Sequence, residues 1–394
     1  MDKKSILIFG VGELQKSIIQ RAKLMGLFVV GIDPCEEAVC KDEVDAFEVV
    51  GGQDYEGTLA VAKKYRISAV VTAATDKPLV MMARVAKELG LRFYSEETAV
   101  WSTDKYQMKQ RFIEGGIPCA RGRIIKNADE AASLDFPLIL KPRDNSGSRG
   151  VIFCNDMESL RDAMKETLQY TQMDSVLIEE FIEGKEYSIE SLHYNGKSEV
   201  IQFTEKQTTH FPYNVELGHI QPANISEEHK TEICSIIEKI GNALKFKNCP
   251  SHTELKINKK GIYVIETSPR LGGDYITSTL TPLSTGINIE DQLLHMSLGE
   301  DIDCIPKWTK YSGIRFFSFD TNRVIITLPN NKLVLSWPHV VDYTLKLSVN
   351  DSINQITSSL DRYGHIILQA DNHESINITF DKYEKVIEEI CFDS

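Results

Sequence analysis

Residues 252–274, HTELKINKKGIYVIETSPRLGGD, predict two short strands joined by a tight turn. Thr253, Leu255 and Ile257 alternate with polar residues, which is the period of a half-buried strand. Asn-Lys-Lys-Gly follows, and then an apolar run over 262–265. The stretch therefore predicts a β-hairpin whose two strands both carry acidic residues.

Two glutamates face each other in this predicted hairpin. A three-residue loop over 259–261, with Gly261 in the left-handed position that such loops favour, places Glu254 directly opposite Glu266. Two carboxylates without a partner would repel each other there, whereas a divalent cation between them would be bound. Carboxylate oxygens together with substrate phosphates are the ligands that Mg²⁺ prefers. The alternative is a solvent-facing hairpin with ordinary acidic residues.

A cation and two glycines follow the hairpin. Arg270 is a planar cation suited to an anionic oxygen, and Gly272 and Gly273 allow a ligand to approach the backbone closely. The second strand therefore leads from the acidic pair into a segment suited to an anionic substrate.

The composition indicates a globular protein of two or three domains, with 394 residues, 42% of them hydrophobic and 26% charged. The net charge of −13 argues against a nucleic-acid partner. No apolar run approaches the roughly 20 residues that span a bilayer, and the N-terminus lacks the features of a signal peptide. Eight scattered cysteines without a C-x-x-C pair predict reduced thiols, a cytoplasmic location and no zinc site.

Residues 3–33 read as strand, turn, helix and strand, close to a dinucleotide-binding fingerprint. Gly10 and Gly12 match its first two glycines, and Asp33 stands where a ribose-binding acid is expected. Gln15 occupies the position of the third glycine. Two interpretations remain: an NAD(P)-binding domain, and an α/β domain that uses the tight turn for packing or for another ligand.

Alternating strands and helices continue to about residue 95 and predict a parallel sheet covered on both sides. The segment 75–78 follows the carboxyl end of a strand, where open α/β sheets bind ligands. An equally good interpretation makes Asp76 the cap of the next helix.

A second informative stretch is 136–154, FPLILKPRDNSGSRGVIFC, in which a strand delivers Lys141 to a polar loop. The loop exposes backbone N–H groups that can surround phosphate oxygens, and Arg149 adds charge. It is not a Walker loop, because no G-K-[ST] follows, and the alternative is a mobile hairpin loop. The loop residues that carry the prediction are Ser146, Gly147, Ser148 and Gly150.

The stretch 176–196, VLIEEFIEGKEYSIESLHYNG, predicts a strand, a crossing segment and another strand. An adenine ring needs an apolar slot and main-chain groups at its edge, which the passage from Glu180 to Ile182 offers. Glu186 is then placed for ribose hydroxyls. Taken alone, such an acidic stretch is more often a solvated turn.

The C-terminal part has a different pattern of apolar and polar residues. Short alternating segments between 310 and 394, among them RVIITL at 323–328, predict a small antiparallel sheet. A final helix is predicted over 380–390. This part would close over the rest of the protein as a lid.

The order of these pieces resembles the ATP-grasp superfamily of carboxylate–amine ligases over nearly the whole chain: Lys105, Lys141-Pro142, SGSRG, EEFIEGKEYSIE, TELK and ETSPRLGG. Within this superfamily, the motifs and their order are similar to those of carbamoyl phosphate synthetase halves, glycinamide ribonucleotide synthetase and bacterial L-amino acid ligases. The resemblance implies an α/β and α+β fold with three parts. They are an N-terminal parallel α/β pre-ATP-grasp domain (1–95), a central ATP-grasp domain of two α+β lobes (96–300) and a C-terminal antiparallel β subdomain (301–394).

The resemblance also implies roles for the matched residues. ATP phosphates would be held by Lys105, Lys141 and the loop 146–150. Adenine and ribose would be bound by Glu179, Glu180, Ile182 and Glu186. Mg²⁺ (or Mn²⁺) would be held by Glu254, Glu266 and Ser268, where the family usually has asparagine at the last position. Arg270 would steady an acyl phosphate. Weaker candidates for substrate contact are Glu216, His219, Gly272 and Gly273.

The predicted function is an ATP- and Mg-dependent ligase that activates a small carboxylate as an acyl phosphate and joins it to an amine, as in L-amino acid ligases or phosphoribosylglycinamide synthetase. Phosphoryl transfer needs mainly positioning and charge neutralisation, and an acyl phosphate must be shielded from water. The alternatives are an NAD(P)-dependent dehydrogenase built on the first domain and a non-catalytic ATP-binding regulator, which Ser268 suggests. By analogy, a homodimer is expected.

Overall fold

The computed structural model describes residues 3–209, 211 and 213–392, which form two four-stranded sheets and one eight-stranded sheet. Parallel and antiparallel sheets occur together, so the predicted α/β and α+β fold is confirmed. None of the helices in the described part of the chain is both long and apolar enough to cross a membrane.

The first sheet is parallel throughout and has helices on both sides. Its strands are β1 (Ser5–Phe9), β2 (Phe28–Asp33), β3 (Ala46–Val49) and β4 (Ile67–Val71). Its helices are α1 (Lys16–Leu24), α2 (Tyr55–Lys64) and α3 (Leu79–Glu88). The strand order is β3-β2-β1-β4. The central strands are buried on both faces, as their near-continuous apolar runs predict.

Gln15 fills the glycine turn between β1 and α1. Its amide Nε2 donates to the carbonyl oxygen of Ala73 at 2.6 Å, and its Oε1 accepts from the backbone N–H of Gly12 at 3.1 Å. Asp33 accepts from the backbone N–H of Val11 at 2.9 Å. The polar groups that a dinucleotide would need are thus used by the chain itself, so the dehydrogenase alternative is not favoured and the turn serves packing.

Two helices lead to the second sheet, α4 (Glu96–Thr103) and α5 (Lys105–Glu114). Asp104 caps α5, because its carboxylate accepts from the first backbone N–H groups of the helix. The same carboxylate holds Arg143 in a buried ion pair at 2.5 Å. The first turn of α5, which carries Lys105, is therefore fixed to the loop that follows Lys141.

The second sheet is antiparallel, and α6 packs on one of its faces. The elements are β5 (Gly122–Ile125), β6 (Leu138–Lys141), β7 (Ile152–Cys154), β8 (Val176–Glu180) and α6 (Met157–Thr167), with the strand order β5-β8-β6-β7. Leu138 and Leu140 pack with Leu160 of α6 in a separate small core. Because side chains alternate along a strand, Ile139 and Lys141 face the opposite side, where a cleft lies.

The third sheet is antiparallel and joins the middle and the end of the chain. Its strands are β9 (Lys185–Tyr194), β10 (Lys197–Thr208), β11 (Glu216–Gln221), β12 (Cys249–Asn258), β13 (Gly261–Ser268), β14 (Tyr311–Phe316), β15 (Val340–Leu345) and β16 (Gly364–Ala370). The order is β13-β12-β9-β10-β11-β14-β16-β15. The antiparallel strands expected after residue 310 are present, and they continue the central sheet.

Helices cover this sheet, and one predicted strand is missing. The helices are α7 (Glu227–Ala243), α8 (Thr281–Thr285), α9 (Ile289–Ser297), α10 (Asn331–Leu335) and α11 (His373–Phe392). The prediction of a strand over 323–328 is wrong: only Val324 forms an isolated bridge, and of this segment's apolar side chains only Ile325 is buried. The final helix begins at His373, seven positions before the predicted start at 380.

A buried carboxylate joins α9 to the N-terminal part. Glu290 is 1% exposed and accepts a hydrogen bond from the hydroxyl of Ser17 on α1. Burial raises the pKa of Glu290 from 4.5 to about 7, although the Ser17 hydrogen bond acts in the opposite direction. The folded protein therefore holds the Glu290 proton more tightly than the unfolded chain does.

We expect Glu290→Gln to stabilise the protein above about pH 4.5 and to give no gain below it. Since ionised Glu290 is disfavoured in the folded state, the destabilisation begins above pH 4.5 and is complete above about pH 7. A glutamine stays neutral and avoids this cost, which is about 3 kcal/mol at pH 8. Thermal unfolding would show a higher Tm for the variant at pH 8 and no gain at pH 4. An equal gain at both pH values would contradict the assignment.

Candidate active site

Strands β12 and β13 form the predicted hairpin, and Glu254 pairs with Glu266. The opposition of the two carboxylates is confirmed, but the predicted loop is wrong. Asn258 pairs with Gly261, so that the loop has two residues instead of three. A bulge at Ile265 supplies the missing residue; without it, Glu254 would face Ile265.

A lysine balances each carboxylate of the pair. Glu254 Oε1 lies 3.1 Å from Nζ of Lys206, and Glu266 Oε2 lies 2.5 Å from Nζ of Lys105. Burial raises the pKa of Glu254, but Lys206 and His252 outweigh it and hold the pKa well below its usual range. Burial lowers the pKa of Lys105, whereas Glu266 raises it, and the net effect is a raised pKa. Glu254 is therefore ionised and Lys105 charged at neutral pH.

Lys206 links the acidic pair to Glu216. Its side chain on strand β10 is 3% exposed, and its Nζ lies 3.3 Å from Glu216 Oε1. Burial lowers the pKa of Lys206, but Glu254 and Glu216 raise it above its usual range. Glu216, a weak candidate from the sequence, thus lies in the same charged cluster.

His252 lies behind Glu254 and contacts a second buried acid. Its Nδ1 is 2.5 Å from Oε1 of Glu190, and its Nε2 is 3.4 Å from Oε1 of Glu254. Burial lowers the pKa of His252, but Glu190 raises it to about 9. A Cβ atom at Gly272 would lie 2.7 Å from Nδ1 of His252, so this glycine is required for close packing.

Glu179 lies between two lysines on the opposite wall of the cleft. Its Oε1 is 2.6 Å from Nζ of Lys109, and its Oε2 is 2.6 Å from Nζ of Lys141. Burial raises the pKa of Glu179, but Lys141 and Lys109 outweigh it, so that the pKa is lowered. Both oxygens of Glu179 are thus used within the protein.

The loop between β6 and β7 lies over the same cleft. Ser146, Gly147, Ser148 and Arg149 line it. Gly147 and Ser148 have positive φ angles of 68° and 56°, a conformation that turns consecutive backbone N–H groups toward one side. Gly150 instead packs against Tyr170, whose Cδ2 atom would lie 2.7 Å from a Cβ at this position.

Phe181 and Phe211 line the far end of the cleft, and Phe153 packs against both of them. The rings of Phe153, Phe181 and Phe211 lie 4.8 to 5.2 Å apart. Nζ of Lys256 lies 5.0 Å from the centre of the Phe181 ring and 3.1 Å from Oε1 of Glu186. Phe181 and Phe211 therefore make this end of the cleft an apolar slot beside a carboxylate, as an adenosine would require.

Ile182 also lines this end of the cleft. The side chain of Glu180 is turned toward Arg121, whose Nη2 lies 2.8 Å from its Oε2. The backbone N–H of Glu180 also donates to the carbonyl oxygen of Arg121 at 2.9 Å, so both the side chain and the N–H of Glu180 are used within the protein.

Arg270 and Ser268 both contact an aspartate of the N-terminal part. Nε and Nη2 of Arg270 donate to the two carboxylate oxygens of Asp76 at 3.0 and 3.2 Å. The hydroxyl of Ser268 donates to Oδ1 of Asp76 at 2.5 Å. The Ser268 hydroxyl hydrogen is thus directed away from the acidic pair.

The remaining candidates line neither the nucleotide-like cleft nor the cleft beside Arg270, although the N–H of Gly272 donates to Oε2 of Glu190 at 3.3 Å. His219 is 1% exposed, and its Nε2 lies 3.3 Å from Oδ2 of Asp274, which also holds Arg362. Gly272 and Gly273 line a separate cavity of about 720 Å³ near the glycine turn at Glu13. The structure therefore does not bring these three residues into the cleft.

Two clefts meet at the acidic pair and share Lys105 and Glu266. One, of about 950 Å³, contains the lysines, the glycine loop and the aromatic slot. The other, of about 1310 Å³, contains Asp76, His252 and Arg270. Within residues 3–209, 211 and 213–392, no three His, Cys, Asp or Glu side chains are grouped to hold a metal ion by themselves. Two carboxylates fit a cation whose other ligands are phosphate oxygens.

Sequence reasoning missed four polar residues of the site. They are Lys109, Glu190, Lys206 and His252. A signal existed for His252, because it alternates in step with Glu254 along one strand. None existed for the others: Glu190, for example, pairs with His252 across β9 and β12, 62 positions apart.

Comparison with known proteins gives a consistent result. Residues 134–278 match the family model described as an ATP-grasp domain. An alanine–anticapsin ligase of Bacillus subtilis is 27% identical over 276 residues, which cover 63% of this chain and 58% of the ligase. The chain spans 58% to 64% of the length of four curated relatives that it matches.

Solved structures extend the likeness to the whole fold. An L-amino acid ligase from Bacillus licheniformis has a TM-score of 0.85 at 20% identity, covering 97% of both chains. A phosphoribosylglycinamide synthetase from Anaerococcus prevotii has a TM-score of 0.77 at 22% identity, covering 99% of this chain and 98% of the other. Residues 134–278 thus match an ATP-grasp domain, and the fold of the whole chain is similar to the folds of these two solved structures.

Proposed function

We propose that the protein is an ATP-dependent ligase that converts a small carboxylate into an acyl phosphate and joins it to an amine. The observation that carries this proposal is the opposed pair Glu254 and Glu266, which lies where the two clefts meet. One cleft has the features of a nucleotide site, and the other has an arginine beside the acidic pair. Transfer of a phosphoryl group from the first to the second is the reaction that this arrangement serves.

ATP would occupy the cleft of about 950 Å³. The apolar slot lined by Phe181 and Phe211 suits the adenine ring, and Glu186 suits the ribose hydroxyls. The phosphates would lie under the loop 146–149, near Lys105 and Lys141. Each of these lysines now contacts a glutamate, so nucleotide binding would replace or share those contacts.

Glu254 and Glu266 would hold Mg²⁺ (or Mn²⁺), with Ser268 a weaker ligand because its hydroxyl is uncharged. The ion would neutralise the charge that develops on the transferred phosphoryl group. Lys206 and Lys105 keep the two carboxylates in place until then. Arg270 would bind the substrate carboxylate and then the acyl phosphate.

The relatives support this class of reaction and suggest substrates. The relatives named above are an alanine–anticapsin ligase, an L-amino acid ligase and a phosphoribosylglycinamide synthetase. We propose an amino acid or another small acid as the activated substrate and a small amine as its acceptor. A homodimer and a cytoplasmic location also remain proposals; eight unpaired cysteines support the second.

The test is ADP release from Mg-ATP in the presence of pooled amino acids, other small carboxylic acids and amines, including phosphoribosylamine-type acceptors. We expect release that requires both an acid and an amine, with a new amide among the products. ADP release in no pool, from protein that binds ATP with Mg²⁺, would contradict the ligase.

A further inference from the structure

Asp76 contacts the site from another part of the fold. It follows β4 at the carboxyl edge of the N-terminal parallel sheet. It does not cap the following helix, since α3 begins at Leu79 and has no side-chain cap. Instead its two oxygens accept from Nε and Nη2 of Arg270, and Oδ1 also accepts from Ser268. The helix-cap interpretation of Asp76 is therefore wrong.

The backbone around this contact is also fixed. Ala73 and Leu271 form a parallel bridge, and the N–H of Ala74 donates to the carbonyl oxygen of Leu271 at 3.2 Å. Nη1 of Arg270 donates to the same carbonyl oxygen at 3.1 Å. The edge of the N-terminal sheet therefore holds both the backbone and the side chain of the arginine segment.

This arrangement leaves part of the guanidinium for a ligand. A guanidinium has five N–H groups, and three of them are used, two by Asp76 and one by Leu271. The two that remain belong to the terminal nitrogens and can bind one oxyanion as a fork. The side chains of Arg270 and Asp76 are only 14% and 19% exposed, so the pair has little freedom to rotate.

We propose that Asp76 is a positioning residue that holds Arg270 in the orientation required for acyl phosphate formation, and that Ser268 acts through Asp76. This inference rests on the ligase function proposed above. It assigns the N-terminal part a direct share in the active site and gives Ser268 a role other than metal binding. Arg270 would supply a positive charge beside the acyl phosphate. Asp76 would fix the orientation of the Arg270 guanidinium.

The pKa of Asp76 agrees with this role. Burial raises it, but Arg270 and Ser268 outweigh burial, and the net pKa lies below the usual value. Asp76 is therefore ionised at every pH at which a ligase would be assayed. An asparagine in its place would accept through one oxygen only and would set its NH₂ group against Nη2 or Nε of Arg270.

The kinetic test uses the full chain and the acid–amine pair that gives ADP release. Asp76→Asn should lower kcat about 10- to 100-fold, with KM for ATP changed less than about twofold because Asp76 does not line the nucleotide cleft. Ser268→Ala should also lower kcat, but by a smaller factor than Asp76→Asn does. In the double variant Asp76→Asn with Arg270→Lys, the rate should equal that of Arg270→Lys alone, because Asp76 acts through Arg270.

Asp291→Asn is the matched control. Asp291 pairs with Arg21, which also joins the N-terminal part to the rest of the chain, and it lines neither cleft. Its rate should equal that of the wild type, which would separate positioning from general docking of the two parts. Unchanged kcat in Asp76→Asn, a lower KM for the acid with a faster rate, or fully additive effects in the double variant would each overturn the proposal.

A second measurement does not require turnover. In the ¹⁵N spectrum of arginine side chains with Mg-ADP bound, Arg270→Lys identifies the Arg270 Nε–H signal. Hydrogen exchange of this group should be at least about tenfold faster in Asp76→Asn than in the wild type, because one charge-assisted hydrogen bond is lost. Equal exchange would overturn the positioning role even if no ligase substrate is found, whereas absent turnover with faster exchange would count against the ligase function alone.

Discussion

Glu254→Gln and Glu266→Gln should each reduce ADP release at least about 100-fold, since an electrostatic contact made in the transition state is commonly worth that much. Each substitution keeps the shape of the side chain and removes one negative charge from the opposed pair. Lys206 or Lys105 would then lose one carboxylate contact, and the opposed pair would carry one negative charge instead of two, which weakens its attraction for Mg²⁺. ADP release measured across a range of Mg²⁺ concentrations should show both a lower maximum and a higher half-saturating concentration.

Binding of ADP by calorimetry tests the same pair without turnover. In the wild type, Mg²⁺ should strengthen ADP binding, and in either variant this strengthening should be lost. Glu205→Gln is the matched control, because Glu205 precedes Lys206 on β10 and lines neither cleft. If Mg²⁺ strengthens ADP binding in Glu254→Gln as much as in the wild type and in Glu205→Gln, the metal assignment is wrong.

The hairpin illustrates what could be predicted from the sequence. Alternation of apolar and polar residues is local, so the strands and the facing glutamates followed from it. The predicted loop was nevertheless wrong by one residue, and only the bulge at Ile265 preserved the pairing. A bulge depends on how the strand packs against its neighbours, and the sequence has no distinct sign of it.

Contacts between distant parts of the chain could not be predicted. Asp76 and Arg270 are 194 positions apart, and their pairing depends on how the N-terminal sheet docks beside β13. Gln15 shows a related limit: its place in the fingerprint was recognised, but its hydrogen bond to Ala73, 58 positions away, was not. Residue type and spacing therefore predicted which residues are candidates for the site, and three-dimensional docking determines which of their polar groups are already paired within the protein.

Glu179→Gln should cost about 3–5 kcal/mol of stability, because it leaves a buried charge without its partner. Lys109 and Lys141 both contact this carboxylate, and their side chains are 4% and 10% exposed. The lowered pKa of Glu179 means that its stabilisation is fully present above pH 4.5 and is lost as the pH falls through its lower folded-state value. Urea unfolding at pH 7 should therefore show a much lower midpoint for the variant, with a smaller difference in acid.

Glu180→Gln is the matched control for this loss of stability. It is the next residue on the same strand, but its partner Arg121 is 89% exposed, so its ion pair should contribute less than about 1 kcal/mol. Equal midpoints for the two variants would contradict a buried charge network around Glu179. A large loss in Glu179→Gln alone, with ADP binding weakened as well, would mean that Lys141 needs this carboxylate to stand where a phosphate can reach it.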